Sequence, residues 1–115
     1  MQVINRTAIV LKPKQPFLDW LNALPDNDGM TFTLERVREG GTAYLVPDYD
    51  YDEQTEECIK KVYPDLFAEE LWDWCTEEDW WPERRDLRTF RKWFDVEVHS
   101  VVADLLPDDI EKEEM

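Results

Sequence analysis

Asp95, Glu97 and His99 occupy every second position of a run in which apolar and polar residues alternate. Spacing by two places all three on one face of a β-strand. Two carboxylates and an imidazole on one face are the ingredients of a divalent-metal site or of an acid–base pair. His99 is the single histidine, so any histidine-based catalysis must use it. A half-exposed sheet face puts polar residues at the same positions by alternation alone, so the run also reads as ordinary surface. A second oxygen-rich run, Asp48-Tyr49-Asp50-Tyr51-Asp52, opens like a calcium loop. Counted from Asp48, the required glycine is Glu53 and the bidentate glutamate is Ile59, which rejects an EF-hand. Asp48, Asp50 and Asp52 remain as an irregular candidate set for a hard cation, beside the plainer reading of a solvated turn. There is no GxSxG, P-loop or GxGxxG motif, and three glycines in the whole chain are too few for a phosphate cradle. No cofactor is implied.

The strongest chemical signal is charge. The 115 residues include 28 Asp or Glu against 13 Lys or Arg, a formal net charge of −15. Between Asp48 and Asp79 thirteen acids face two bases, Lys60 and Lys61. Such a charge opposes nonspecific binding to nucleic acid and to anionic membrane leaflets. It is compatible with basic protein partners, with cations, and with plain solubility. The opposite charge is concentrated just downstream, in Arg84, Arg85, Arg88, Arg91 and Lys92. With Trp80, Trp81 and Trp93 close by, that segment has the composition of a base-stacking or phosphate-gripping patch. It is equally suited to neutralising the acids within the fold or across a homodimer.

Folded elements must position these groups. Aromatic residues make up 13 % and hydrophobic residues 43 % of the chain, too much for a disordered acidic segment. At this length a single domain is expected, residues 1–106, followed by an acidic, frayed tail over 107–115. Thr7–Leu11 and Thr42–Val46 read as strands, and Phe94–Ala103 as a third, half-buried one. Pro16 opens a helix whose Phe17, Trp20, Leu21 and Leu24 form one apolar face, ending near Pro25. Thr33 caps a short helix through Glu39, stopped by Gly40, although Met30–Leu34 also reads as a strand. From Thr55 to Cys75 a helical apolar period survives across Pro64, predicting one kinked helix or two abutting ones. Its acids fall between the apolar positions. Asp86 caps a last helix. These elements predict an α+β or small α/β fold, about three strands with four to five helices packed on them. If Met30–Leu34 is a strand, the order becomes β-α-β-β-α-β, the ferredoxin-like pattern.

Trp20 and Trp74 lie on apolar stripes and are expected in the core. Trp72, Trp80 and Trp81 fit no single stripe, and tryptophan beside charge is the composition of an interface hot spot. Cys58 and Cys75 sit on apolar stripes without a CxxC pairing, so they read as reduced thiols in a cytoplasmic protein. The first residues lack the pattern of a signal peptide, and no apolar run approaches the length of a membrane span.

The stretches Asn5-Arg6-Thr7-Ala8-Ile9-Val10-Leu11-Lys12-Pro13-Lys14-Gln15-Pro16-Phe17-Leu18-Asp19-Trp20-Leu21-Asn22 and Trp93-Phe94-Asp95-Val96-Glu97-Val98-His99-Ser100 resemble a family of small, acidic, uncharacterised bacterial proteins. The resemblance implies a bacterial cytoplasmic origin and brings no activity with it. Three functions follow from the residues. The first is an interaction or regulatory module that meets a basic protein partner through the helical face of residues 51–75, with Glu53, Glu56, Glu57, Glu69, Glu70 and Asp73 and the flanking Trp72, Trp80 and Trp81. The second is a small metal-binding or acid–base enzyme built on Asp95, Glu97 and His99. The third is a nucleic-acid mimic, whose carboxylates take the place of phosphates.

Overall fold

The computed structural model describes residues 1–114. The chain runs β1 (Gln2–Ile4), β2 (Arg6–Pro13), α1 (Gln15–Asn22), α2 (Leu34–Val37), β3 (Ala43–Pro47), α3 (Asp52–Trp72), α4 (Leu87–Trp93), β4 (Phe94–His99) and β5 (Val102–Asp104), with a single 3₁₀ turn at Glu78–Trp80. It is a small α+β fold. β2 is the central strand of an antiparallel sheet ordered β3-β2-β4, and β1 pairs with β5 in a separate ribbon. The β-branched run of β2 suits this central place, where it is flanked on both edges.

The register places Ile9 opposite Tyr44 and Val98, and Leu11 opposite Val96. The helices cover this face. Phe17 of α1, Phe67 of α3, Phe90 of α4 and Phe94 of β4 are all essentially buried there with Ile9, Leu21, Ile59 and Leu71. Phe67 lies 5.5–5.8 Å, centroid to centroid, from the rings of Phe90, Trp93 and Phe94. The opposite face of the sheet, carrying Val10, Lys12, Leu45, Asp95, Glu97 and His99, is half-buried or open to solvent.

Local chemistry sets the helix ends. Pro16 occupies the first turn of α1, where its missing N–H costs nothing. Thr33 Oγ1 accepts from the Arg36 amide at 3.2 Å, and Gly40 follows α2 at φ 68°. The helical reading of Thr33–Glu39 therefore holds in shortened form. No strand forms across Met30–Leu34, and the ferredoxin-like order does not arise. The arm across Pro64 is one helix, α3, with Pro64 on its exposed side. Asp86 Oδ1 accepts from the Thr89 amide at 2.8 Å and caps α4. That bond holds the Asp86 carboxyl below its usual range. Because its folded pKa is depressed, the cap contributes above the unfolded carboxylate pKa and is lost as pH falls through the folded value. Asp86→Ala is expected to lower the midpoint of thermal unfolding by about 2–5 °C at neutral pH, and Asp86→Asn by less. Calorimetry of the two variants checks this.

The third predicted strand differs most between sequence and structure. Phe94–Ala103 is not continuous: it breaks at Ser100 and Val101 into β4 and β5. The paired register shows why. Asn5, Arg6 and Thr7 separate Ile4 from Ala8, while only Ser100 and Val101 separate Val102 from His99. One extra residue on the β1–β2 side makes a bulge, which bends the pair and ends the ladder. The number of strands rises to five for the same reason, since β1 completes the ribbon with β5. Beyond Pro107 the described residues are exposed and without regular structure; Met115 lies outside the described residues.

Candidate functional site

α3 delivers its acids in two groups that differ in their neighbours. In the first half, Glu56 meets Arg91 at 2.7 Å and Glu57 meets Lys60 at 3.1 Å. Glu53 and Glu57 line a shallow cleft that also contains Lys61. In the second half, Glu69, Glu70 and Asp73 stand at the C-terminal turn, and that turn carries no base. Free carbonyls at a helix C-terminus amount to a partial negative charge, so carboxylates there repel the helix end as well as one another. Arg38 lines the adjoining cavity but is engaged with the Pro13 carbonyl at 2.8 Å and Asp95 at 4.0 Å, so this end of α3 has an excess of negative charge that a further cation would relieve.

Two cavities adjoin at this end and share Asp73 and Trp74. The first, about 200 Å³, lies between α3 and the α2–β3 turn, and Arg38, Glu39, Gly40, Gly41 and Glu70 contribute to its lining. The Tyr44 hydroxyl, reaching across from β3, donates to Glu70 Oε2 at 3.1 Å. Burial pushes the Glu70 carboxyl up to about 7, opposed by the Tyr44 hydrogen bond and reinforced by the charges of Asp73 and Glu69. Burial and the same carboxylates push the Tyr44 phenol upward, so it remains a donor. A carboxyl that titrates near neutrality can take up or release a proton as charge nearby changes.

The second cavity, also about 200 Å³, is walled by Trp72, Trp74 and Trp80 and rimmed by Asp26, Asp73 and Glu77. The three indoles are 50 %, 37 % and 38 % exposed. Trp74 is thus not a core residue, contrary to its place on the apolar stripe. α3 ends at Trp72, and the chain beyond it turns Cys75 inward while Trp74 meets Phe32 edge-on at 5.4 Å. The loop forming the far wall is clipped in place by two indole donors. Trp20 Nε1–H donates to the Trp80 carbonyl at 2.9 Å, and Trp81 Nε1–H to the Cys75 carbonyl at 2.8 Å. Trp81 is half-buried against the core, and Arg85 rests over its ring at 5.7 Å.

The other predicted groups lie elsewhere. Asp95 turns toward Lys14 at 3.8 Å and Arg38 at 4.0 Å, while His99 Nε2 lies 3.5 Å from Glu97 Oε2. All three side chains are exposed, and Asp95 is drawn off from the other two by its own cations. Asp48, Asp50 and Asp52 are exposed around the start of α3. Among the described residues, no three of His, Cys, Asp or Glu gather in a way that could hold a metal ion. In the basic cluster, Arg91 alone reaches the acidic arm. Arg84 pairs with Asp86 at 3.3 Å, Arg85 Nη1 donates to the Pro82 carbonyl at 2.6 Å, and Arg88 and Lys92 line a separate polar hollow with Arg84.

Tyr44, Arg38 and Asp26 are members of the site that the sequence did not single out. Tyr44 had a signal: it alternates with Val46 on the inward face of a strand, which aims a phenol at the helix layer. Asp26 sits in a turn and Arg38 just past the end of α2, where no periodicity identifies a partner. No helix is long and apolar enough to cross a membrane among the described residues. Comparison of the chain with protein-family models, with curated proteins and with solved structures finds no match.

Proposed function

We propose that the protein is an acidic interaction module that receives a basic protein partner on the acidic face of α3, chiefly at its C-terminal end. The observation that carries this reading is the last turn of α3, where Glu69, Glu70 and Asp73 stand at the negative pole with no base among them. A fold gains nothing in stability from that arrangement, and a bound cation reverses its sign. The first half of the arm contributes long-range attraction through Glu53 and the partly paired Glu56 and Glu57. The exposed Trp72 and Trp80 supply the apolar contact that charge alone lacks. The two unpaired thiols, Cys58 and Cys75, suit a reducing cytoplasmic setting, in keeping with the likeness of the chain's ends to small acidic bacterial proteins.

The test is titration with a short basic peptide, followed by fluorescence anisotropy. Binding is expected to weaken about tenfold between 50 and 300 mM salt, and by about a further tenfold in Glu69→Lys/Asp73→Lys. The same reversal at Glu56 and Glu57 is expected to cost less, because those carboxylates already have partners. Absence of binding at low salt, or equal losses from the two pairs, would sink the reading.

A further inference from the structure

The cavity walled by Trp72, Trp74 and Trp80 has a chemistry narrower than a general acidic surface. We infer that it is a receptor for one arginine side chain of the basic partner, a deeper form of the interaction reading on which it rests. Three features converge on a guanidinium. Indole faces attract cations through the ring quadrupole, tryptophan most strongly. Carboxylates from two segments, Asp26 on one and Asp73 and Glu77 on the other, rim the same space, and no base lines it. At about 200 Å³ the cavity is smaller than the ~300–1,000 Å³ typical of drug-sized ligands, so it suits one side-chain head rather than a larger group.

Arginine fits these walls better than lysine. The guanidinium is planar, is weakly hydrated, and can stack on an indole while its edge donates two parallel bonds to a carboxylate. The same molecule contains a looser contact of this kind on the neighbouring ring, where the Arg85 guanidinium lies over Trp81 at 5.7 Å from the ring centroid. The backbone of the loop and one of the three rings are also held before any ligand arrives. The Trp80 carbonyl accepts from Trp20, the Cys75 carbonyl accepts from Trp81, and Trp74 rests on Phe32. Those parts of the wall lose little freedom on binding.

The experiment pairs an arginine-containing basic peptide with the same peptide carrying lysine at every arginine, titrated against the full chain. Expected results are about tenfold tighter binding of the arginine peptide, and about tenfold weaker binding in Trp72→Ala and in Trp80→Ala at unchanged net charge. Trp72→Phe should recover part of the loss. In ¹H–¹⁵N spectra the indole Nε1–H signals of Trp72, Trp74 and Trp80 should move on titration. Both variants remove half-exposed rings, and the carbonyl that accepts from Trp20 remains in Trp80→Ala; unchanged circular dichroism confirms that the fold persists. If neither peptide binds the wild type, the interaction reading itself falls. If both bind equally and the tryptophan variants bind like wild type, the arginine receptor falls while the acidic module stands. Self-association of the wild type that Trp72→Ala abolishes and the peptide displaces would make a second copy the occupant, and would also overturn the inference.

Discussion

Phe67→Ala is expected to lower the free energy of unfolding by about 3–5 kcal/mol, the loss typical of a fully buried phenylalanine. Phe67 has no solvent exposure and touches the rings of Phe90, Trp93 and Phe94, so α3, α4 and β4 all meet on it. Truncation leaves a void bounded by stiff aromatic rings from three elements, which cannot collapse together to fill it. Ordinary domains are stable by only about 5–15 kcal/mol, so this one change consumes much of the margin. Urea unfolding followed by tryptophan fluorescence gives the number. Phe67→Leu, which keeps more of the volume, should cost clearly less. A loss under about 1 kcal/mol for Phe67→Ala would mean that the three elements do not depend on this ring.

The second large effect is a pH-dependent gain. The Glu70 carboxyl titrates at about 7 in the folded protein, above the ordinary carboxylate range. A raised folded pKa means that its stabilising contribution is fully present below the unfolded value, near 4.3, and is lost as pH rises through about 7. Above that pH the fold must either ionise a half-buried carboxyl or hold a proton that water would take. Glu70→Gln removes the penalty and keeps an oxygen to accept from Tyr44. The variant is expected to be more stable than wild type by about 2 kcal/mol at pH 8, after allowance for partial access of water, and nearly equal to it at pH 4. Burial raises the Glu70 pKa, Tyr44 lowers it and Asp73 and Glu69 raise it further, while Arg38 and Glu39 line the same cavity, so each of these residues is left intact in this comparison. Denaturant titrations at the two pH values decide it. A gain of equal size at both would assign the effect to packing rather than to charge. A cation bound at the α3 terminus would lower the Glu70 pKa, so binding near neutrality should release a proton.

Much of the fold is legible residue by residue. Pro16, Thr33 and Asp86 mark helix starts because each solves a local hydrogen-bonding problem that any context would pose. The β-branched runs at β2 and β3 are equally local signals. The break at Ser100–Val101 is not local: it exists because the opposing strand has one residue more, and alternation along one strand carries no information about its partner. The candidate site divides in the same way. Glu69, Glu70 and Asp73 were visible as charge on a helix, and Trp72 and Trp80 as aromatics that fit no stripe. What brings Tyr44 to Glu70, Asp26 to Trp72, and the 3₁₀ turn against Trp20 is tertiary packing between segments far apart in sequence. Trp74 departs from its stripe because the period that identifies it as buried belongs to a helix that ends two residues earlier.

The strand order β3-β2-β4 has a consequence for how the protein comes into being. Ala8 is paired on one side with Leu45 and on the other with His99, so the central strand lacks its second edge until residues 94–99 have been made. At synthesis rates of about 5–20 residues per second, β2 waits on the order of 5–20 s for β4 to emerge. Through that interval an apolar, β-branched strand has an open edge, the condition under which nascent chains pair wrongly with one another. The acids of α3 are made in the same interval, before β4. Their mutual repulsion between neighbouring nascent chains makes the charge that troubles the folded helix a safeguard for the unfinished one.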